Sequence, residues 1–370
     1  MRGRRRPGRG CAHRRGLRAL DRRRPARQIP AGALADPAAP PTEASMSLRF
    51  VTLPGTGLTA SALGFGCASL GSRIGRTDGL RALAEAHDGG VTWFDVAPPY
   101  GAGEAEAILG EFLAGRRASV RLCTKVGLAG PERSGLMRLV YRLGRPLAAR
   151  FAGLRRRFRA AAATRYRPIV LDAAGIAASL DRSLARLRTD HVDVFALHAP
   201  IPADTVRDDV IRALEEILTS GKARQVCVAG DVDACRAAAA AGLPYRVLQL
   251  ADGPETEPLA ALRVAAGRPV ATVTHSVFGF DGALSRLVAH LEADPAAGRR
   301  LQAAGYDGPA GQAAARLLID RAFASNPDGV VLASMFAPPH RRLNLARAAL
   351  PPNPEAVRLV RDLLGPAGAS

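Results

Sequence analysis

From Met46 onward, short apolar and β-branched runs alternate with stretches whose apolar positions recur at helical spacing. The runs predict eight strands, at residues 62–67, 91–96, 120–126, 192–198, 225–229, 246–250, 269–274 and 329–333. Between them, residues 103–114 set Ala105, Ile108, Leu109, Phe112 and Leu113 on one helical face, with Gly115 as a stop. Residues 172–187 begin with Asp172 as an N-cap and bury Ile176, Leu180, Leu184 and Leu187. Helices over 205–219 and 354–364 follow from the same periodicity. Strands that alternate with helices pair in parallel. Eight repeats fit a closed α/β architecture, the (β/α)8 TIM barrel; an open doubly wound sheet is the rival. The rival asks for GxGxxG after the first strand, whereas the turn reads Gly64-Phe-Gly66-Cys-Ala-Ser69 and lacks the third glycine. Residues 48–59, with Pro54-Gly55 in their middle, predict an N-terminal β-hairpin ahead of the barrel.

Composition changes this picture at two places. The net charge is +19, and residues 1–45, with twelve arginines against three acids, account for +9 of it. That Arg-, Pro- and Ala-rich stretch has no sustained apolar period and is expected to be a disordered tail. It reads as a targeting peptide, as a basic arm for an anionic surface, or as the product of a start codon set too early, with Met46 the true start; we favour the last. The fold is therefore expected to occupy 46–370 as one domain. The second place is residues 131–168, a long basic insert after the third strand. Eleven arginines lie in 133–167, against the single acid Glu132, with Leu139, Val140, Leu143, Leu147, Phe151, Leu154 and Phe158 at helical spacing between them. This reads as a solvated amphipathic lid, with attraction of anionic substrates or contact with a membrane surface as alternatives. No nucleic-acid-binding motif is present, and no nucleic acid is expected at the barrel.

The chain is 48% hydrophobic without an apolar run of transmembrane length. Five cysteines, odd in number and without a CxxC pair, argue against a disulfide framework or zinc cage and for a reducing, cytoplasmic setting. HExxH, GxSxG and P-loop motifs are absent, and no metal site is expected. Lysine occurs only at Lys125 and Lys222.

The chemistry gathers at strand ends, where the side chains of a barrel face its active mouth. The second strand ends in Asp95, the third carries Lys125 and the fourth ends in His198. Each alone has a plain structural reading: a loop cap, a strand-end charge, a satisfied core histidine. Together they converge on one mouth, and a buried carboxylate and a buried ammonium require each other. Tyr100 lies five residues past Asp95, on a loop stiffened by Pro98 and Pro99. A phenol can protonate a carbonyl oxygen as it becomes an alkoxide; an ammonium beside it favours the phenolate, a carboxylate holds the ammonium, and an imidazole orients the oxygen. Hydride for such a reduction must come from a cofactor.

The segment Trp93-Phe-Asp-Val-Ala-Pro-Pro-Tyr-Gly-Ala-Gly-Glu-Ala-Glu-Ala-Ile-Leu-Gly110 resembles the part of the aldo-keto reductase superfamily that holds its catalytic Asp and Tyr. Cys123-Thr-Lys-Val-Gly127 is similar to the part holding its Lys, and Arg186-Leu-Arg-Thr-Asp-His-Val-Asp-Val-Phe-Ala-Leu-His198 to the part holding its His. The resemblance implies an NAD(P)H-dependent barrel oxidoreductase acting on an aldehyde, ketone or sugar carbonyl, with Tyr100, Lys125, Asp95 and His198 as its catalytic set. The Ala-Pro-Pro-Tyr-Gly wording leans toward members that oxidise sugars. It further implies cofactor contacts from Gly66, Gln249, Ser276, Phe278, Ser334 and Asn344. Arg341 and Arg342 stand within reach of a 2′-phosphate, so NADP is expected, with NAD as the alternative. Where the family's fifth strand ends Ser-Asn, this chain has Ala229 and Gly230, which offer no side-chain hydrogen bonds to the nicotinamide amide. That departure keeps open a second reading, a cofactor-sensing or binding protein with little turnover. A monomer or weak oligomer is expected.

Overall fold

A computed structural model describes residues 47–130, 166–242, 244–280 and 282–365. The tail at 1–45 and residues 131–165, with the amphipathic pattern expected there, lie outside the described residues.

The chain opens with an antiparallel hairpin, β1 (Phe50–Thr52) against β2 (Thr59–Ser61). The barrel strands are β3 (Leu63–Gly66), β4 (Trp93–Asp95), β5 (Arg121–Val126), β8 (Val192–His198), β9 (Ala223–Ala229), β10 (Tyr245–Ala251), β11 (Ala271–His275) and β12 (Val330–Ala333). They close in that order, all parallel, with β12 beside β3. β6 (Leu128–Ala129) and β7 (Arg167–Pro168) form a short antiparallel ribbon above β5. The hairpin covers the amino end of the barrel: Arg121 Nε donates to the Thr59 carbonyl at 3.0 Å, and Gln225 Nε2 to the Thr56 carbonyl at 3.1 Å.

Eleven helices are described. α1 (Arg76–Asp88), α2 (Ala105–Leu113), α3 (Ala173–Leu187), α4 (Asp208–Thr219), α5 (Val232–Ala241) and α6 (Pro258–Ala266) alternate with the strands through β10. α7 (Ala283–Ala293), α8 (Pro295–Ala303) and α9 (Ala310–Ser325) all fall between β11 and β12. α10 (Pro338–Ala348) and α11 (Pro354–Leu364) end the described chain. Asp172 caps α3 as its sequence predicts, accepting from Gly175 N at 2.7 Å. The helix expected to start at 103 starts at Ala105. A 3-10 turn, Tyr100–Gly103, precedes it and takes the chain through left-handed backbone at Gly101 and Ala102.

The core has two parts. The main one fills the barrel and its contact with the surrounding helices, with Trp93, Phe65, Phe94 and Phe195 fully buried. The second joins α7, α8, α9 and α11 through residues such as Leu287, Leu301, Leu317 and Val360. Phe278 and Leu343 pack against both. Among the described residues no helix is long and apolar enough to cross a membrane.

Candidate active site

The strand register fixes which side chains share the lumen. Gly64 pairs with Trp93 and Gly66 with Asp95; Asp95 pairs with Cys123, and Lys125 with Ala196. His198 pairs with Ala229, Ala229 with Gln249, Gln249 with Val273, and Ala251 with His275. Partners in parallel register point to one face, and side chains alternate along each strand. The series Gly66, Asp95, Lys125, His198, Ala229, Gln249, Ala251 and His275 therefore faces one side of the sheet. The direct contact between Lys125 and Asp95, and the Cβ at Gly64 that would strike Trp93, Val330 and Leu332, identify that side as the interior.

Asp95 and Lys125 are buried, and Lys125 Nζ is bonded to Asp95 Oδ1 and donates to the Val96 carbonyl at 3.2 Å. Burial alone would lower the ammonium's pKa; Asp95, Tyr100 and Cys123 overcome it, so Lys125 is raised and stays charged. Tyr100 lies over the pair, its ring centroid 5.1 Å from Lys125 Nζ. His198 meets that ring edge-on, 5.8 Å between centroids at 88°. The four groups of the expected catalytic set are thus in one cluster.

The electrostatics differ from the simple expectation that the ammonium brings the phenol down. Burial pushes Tyr100 up to about 12; Lys125 opposes this and Asp95 adds to it. Burial, with help from Lys125 and His275, holds His198 down to about 3, a neutral imidazole whose Nδ1 has no hydrogen-bond partner. The resting site therefore holds a protonated phenol, a neutral imidazole and an ion pair without net charge.

Two backbone approaches hold this cluster together. Gly101 has φ 60, and a Cβ there would sit 1.9 Å from the Leu70 carbonyl oxygen, so only glycine lets the Tyr100 turn seat against the loop after β3. Gly127, just past β5, has φ 133, and its Cβ would fall 2.5 Å from the His198 carbonyl oxygen.

Of the expected cofactor residues, Gly66 and Gln249 lie in the inward register, and the others follow β11, follow β12 or lie on α10. Gln249 is buried on β10 with Oε1 unpartnered, next to Ala229. Ser276 has φ 66 and its Oγ lies 2.9 Å from His275 Nδ1. Phe278 follows two residues on, packed between the two cores. Ser334 is exposed just after β12. On α10, Asn344 is buried and Arg342 exposed. Arg341 is buried, ion-paired with Glu85 of α1, and donates to the Met335 carbonyl at 3.0 Å.

One site residue escaped the sequence reading. His275 ends β11 in the interior register, and its field is felt at His198. Burial holds it down to about 4. The signal was present, since the strand ends in histidine just as β8 does; the expected strand stopped one residue short, at Thr274. Among the described residues no three His, Cys, Asp or Glu side chains gather closely enough to hold a metal ion.

A family model described as "Aldo/keto reductase family" matches residues 62–286. The chain is 27% identical over 187 residues to "Aldo-keto reductase YhdN" of Bacillus subtilis, a match covering 49% of this chain and 46% of that protein. It is 42% identical over 84 residues to "Pyridoxal 4-dehydrogenase" of Microbacterium luteolum, 22% of this chain and 25% of that protein. In each case the match spans less than half of the relative's length. Among solved structures, the holo form of aldo-keto reductase AKR11C1 from Bacillus halodurans is similar at TM-score 0.64 and 21% identity, over 85% of this chain and 96% of that one. An aldo-keto reductase from Klebsiella pneumoniae in complex with NADPH is similar at TM-score 0.59 and 19% identity, over 86% and 96%.

Proposed function

The chain belongs to the aldo/keto reductase family, and on that premise we propose that it is a nicotinamide-dependent oxidoreductase that transfers hydride between NAD(P)H and the carbonyl of a small aldehyde, ketone or sugar. The observation that carries the reading is the buried Lys125–Asp95 pair beneath the Tyr100 ring, with His198 edge-on to that ring.

The chain's own residues divide the work. The carbonyl oxygen rests between the Tyr100 hydroxyl and the neutral His198 imidazole. Tyr100 gives its proton as charge develops on that oxygen, and Lys125 stabilises the phenolate left behind. Asp95 keeps the ammonium charged and fixed through its contact with Nζ. With its pKa raised by burial, the Tyr100 phenol stays protonated near neutral pH and keeps its proton for the carbonyl oxygen. A bound nicotinamide supplies the hydride.

The residues present fit that group. Gln249 Oε1, buried and unpartnered beside Ala229, is an acceptor waiting for a carboxamide N–H. Gly66 and Ala229 keep side chains out of the lumen in front of it. Ser276 and Phe278 would border the cofactor's pyrophosphate, and Ser334, Arg342 and Asn344 would hold its adenosine phosphate. Arg341, bonded to Glu85 and the Met335 carbonyl, holds that loop in shape. The exposed Arg342 favours NADP over NAD.

The test is turnover of aldehydes, ketones and sugars with NADPH and NADH. Tyr100→Phe should lower kcat at least about 100-fold with cofactor binding intact, the range of a lost general acid. A Tyr100→Phe protein with full activity sinks the assignment. The absent side-chain contacts at Ala229 and Gly230 motivate the second reading; tight NAD(P)H binding by calorimetry without turnover of any substrate would favour it.

A further inference from the structure

The second core does not close on itself. Between α7, α8 and the start of α9 it opens to the surface in a cleft of about 160 Å³. Leu291, Leu301, Tyr306 and Ala313 are its buried wall, and Gly298 and Gln302 of α8 stand at its edge. Gly298 sets the size of the opening. It lies inside α8, its N–H bonded to the Asp294 carbonyl at 3.2 Å, in a position where glycine is among the poorest helix formers. A Cβ added there would approach nothing closer than the Leu291 carbonyl oxygen, at 3.9 Å. Neither backbone strain nor crowding asks for glycine here, and a longer side chain would enter the cleft.

The wall of the cleft is wired to a distant helix through Tyr306. The Tyr306 hydroxyl donates to Asp320 Oδ2 of α9 at 2.9 Å, and Asp320 Oδ1 accepts from Arg347 Nε of α10 at 2.7 Å. The Arg347 guanidinium lies 5.8 Å from the Tyr306 ring centroid. Leu343 of α10 also packs against this core. α10 is the helix whose Arg342 and Asn344 would hold the adenosine phosphate, so one tyrosine ring stands between the cleft and the cofactor helix.

We propose that this cleft is a ligand site separate from the catalytic mouth, that it takes a small uncharged aromatic molecule, and that filling it stiffens α10 and tightens the cofactor. The site stands by itself; its coupling to the cofactor rests on the oxidoreductase reading. The size selects a single ring, since an apolar cavity of about 150 Å³ takes a benzene. The lining selects against charge: it holds no ionisable side chain besides the Tyr306 phenol, which Asp320 already occupies, so an ion entering would lose its water without recompense. The Gln302 amide, donor and acceptor at once, suits one hydroxyl carried by the ring. A ring seated against Tyr306 restrains Asp320 and Arg347 with it. The cofactor then meets a helix already ordered, and linkage makes the gain the same in both directions.

The probe is benzyl alcohol, titrated by saturation-transfer NMR into the full-length wild type, Gly298→Ala, Gly298→Leu and Ala310→Leu, with NADPH affinity read by fluorescence on each. The wild type and Gly298→Ala should bind it saturably with a Kd of about 1 mM or below, the range open to a ligand of this size. Gly298→Leu, and Ala310→Leu from the α9 side, should weaken it at least about tenfold by filling the cleft, with NADPH affinity unchanged. Saturating benzyl alcohol should tighten NADPH at least about fivefold in the wild type, and NADPH should tighten benzyl alcohol by the same factor. No saturable binding to the folded wild type overturns the site, as does equal binding by whichever leucine variant folds, which would put the ring elsewhere on the protein. Binding that the leucine variants abolish but that leaves NADPH affinity unmoved overturns the coupling alone. A folded wild type that takes benzyl alcohol but neither NADPH nor NADH overturns the oxidoreductase reading and the coupling together, and leaves the site in place.

Discussion

The Lys125 ammonium cannot be removed without stranding the carboxylate it neutralises. Lys125→Met would leave Asp95 buried and unpaired, and should cost about 3–5 kcal/mol of stability by denaturant titration. Adding Asp95→Asn should recover most of that loss while leaving the protein inactive, so stability and catalysis separate in the double variant. The same residues set the pH response of the reaction. Tyr100 sits at about 12, His198 at about 3 and His275 at about 4. None of the three changes charge between pH 5 and 9, and kcat/KM should vary by less than about threefold across that window in a buffered rate series. A bell with a limb near pH 6.5 would show that one imidazole titrates freely. At this scale, Asp95, Lys125 and His198 stood out in the sequence because a polar residue near the end of an apolar strand is costly if left unpartnered, and Tyr100 by its place on the proline-stiffened loop after Asp95. His275 was not, since a strand end misjudged by one residue moves its last side chain out of the pattern. Nor was the raised phenol: spacing shows that an ammonium is near, but the desolvation that outweighs it depends on packing from every side.

Among the elements, short apolar and β-branched runs foretold the eight barrel strands, and period-3.6 patterns the helices α2, α3, α4 and α11. The apolar faces of α7, α8 and α9 meet one another and α11 in the second core, a partner that periodicity along the chain does not name. Close backbone approach is likewise invisible along a chain. Gly127 reads as an ordinary strand end until its Cβ is set beside the His198 carbonyl oxygen. Gly127→Ala should therefore shift β8 at His198, the proposed contact for the carbonyl oxygen. We expect about 1–3 kcal/mol of destabilisation and a kcat loss larger than that of Gly221→Ala, whose Cβ would meet open space. Thermal melts and initial rates on the two variants decide this.

For the whole molecule, the two depressed histidines couple the site to stability. Both fold with pKa values below the ~6.5 of an unfolded chain. Below pH 6.5 the unfolded chain binds protons that the native one refuses. Stability present above pH 6.5 should thus fall as the pH drops toward 4 and then 3, and His198→Gln with His275→Gln should flatten the slope of denaturation midpoint against pH over that range. An equally steep slope in the double variant would assign it to carboxylates elsewhere. The ribbon of β6 and β7 bears on the molecule in another way. Leu128 faces Pro168 and Ala129 faces Arg167, so the chain leaves the barrel and returns to it through one narrow gate. Because ring closure depends only weakly on the length of what is enclosed, this clasp makes whatever lies between its jaws an exchangeable cassette. Segments of different size and charge could be spliced there, over generations or at the bench, while the eight staves beneath keep their alignment.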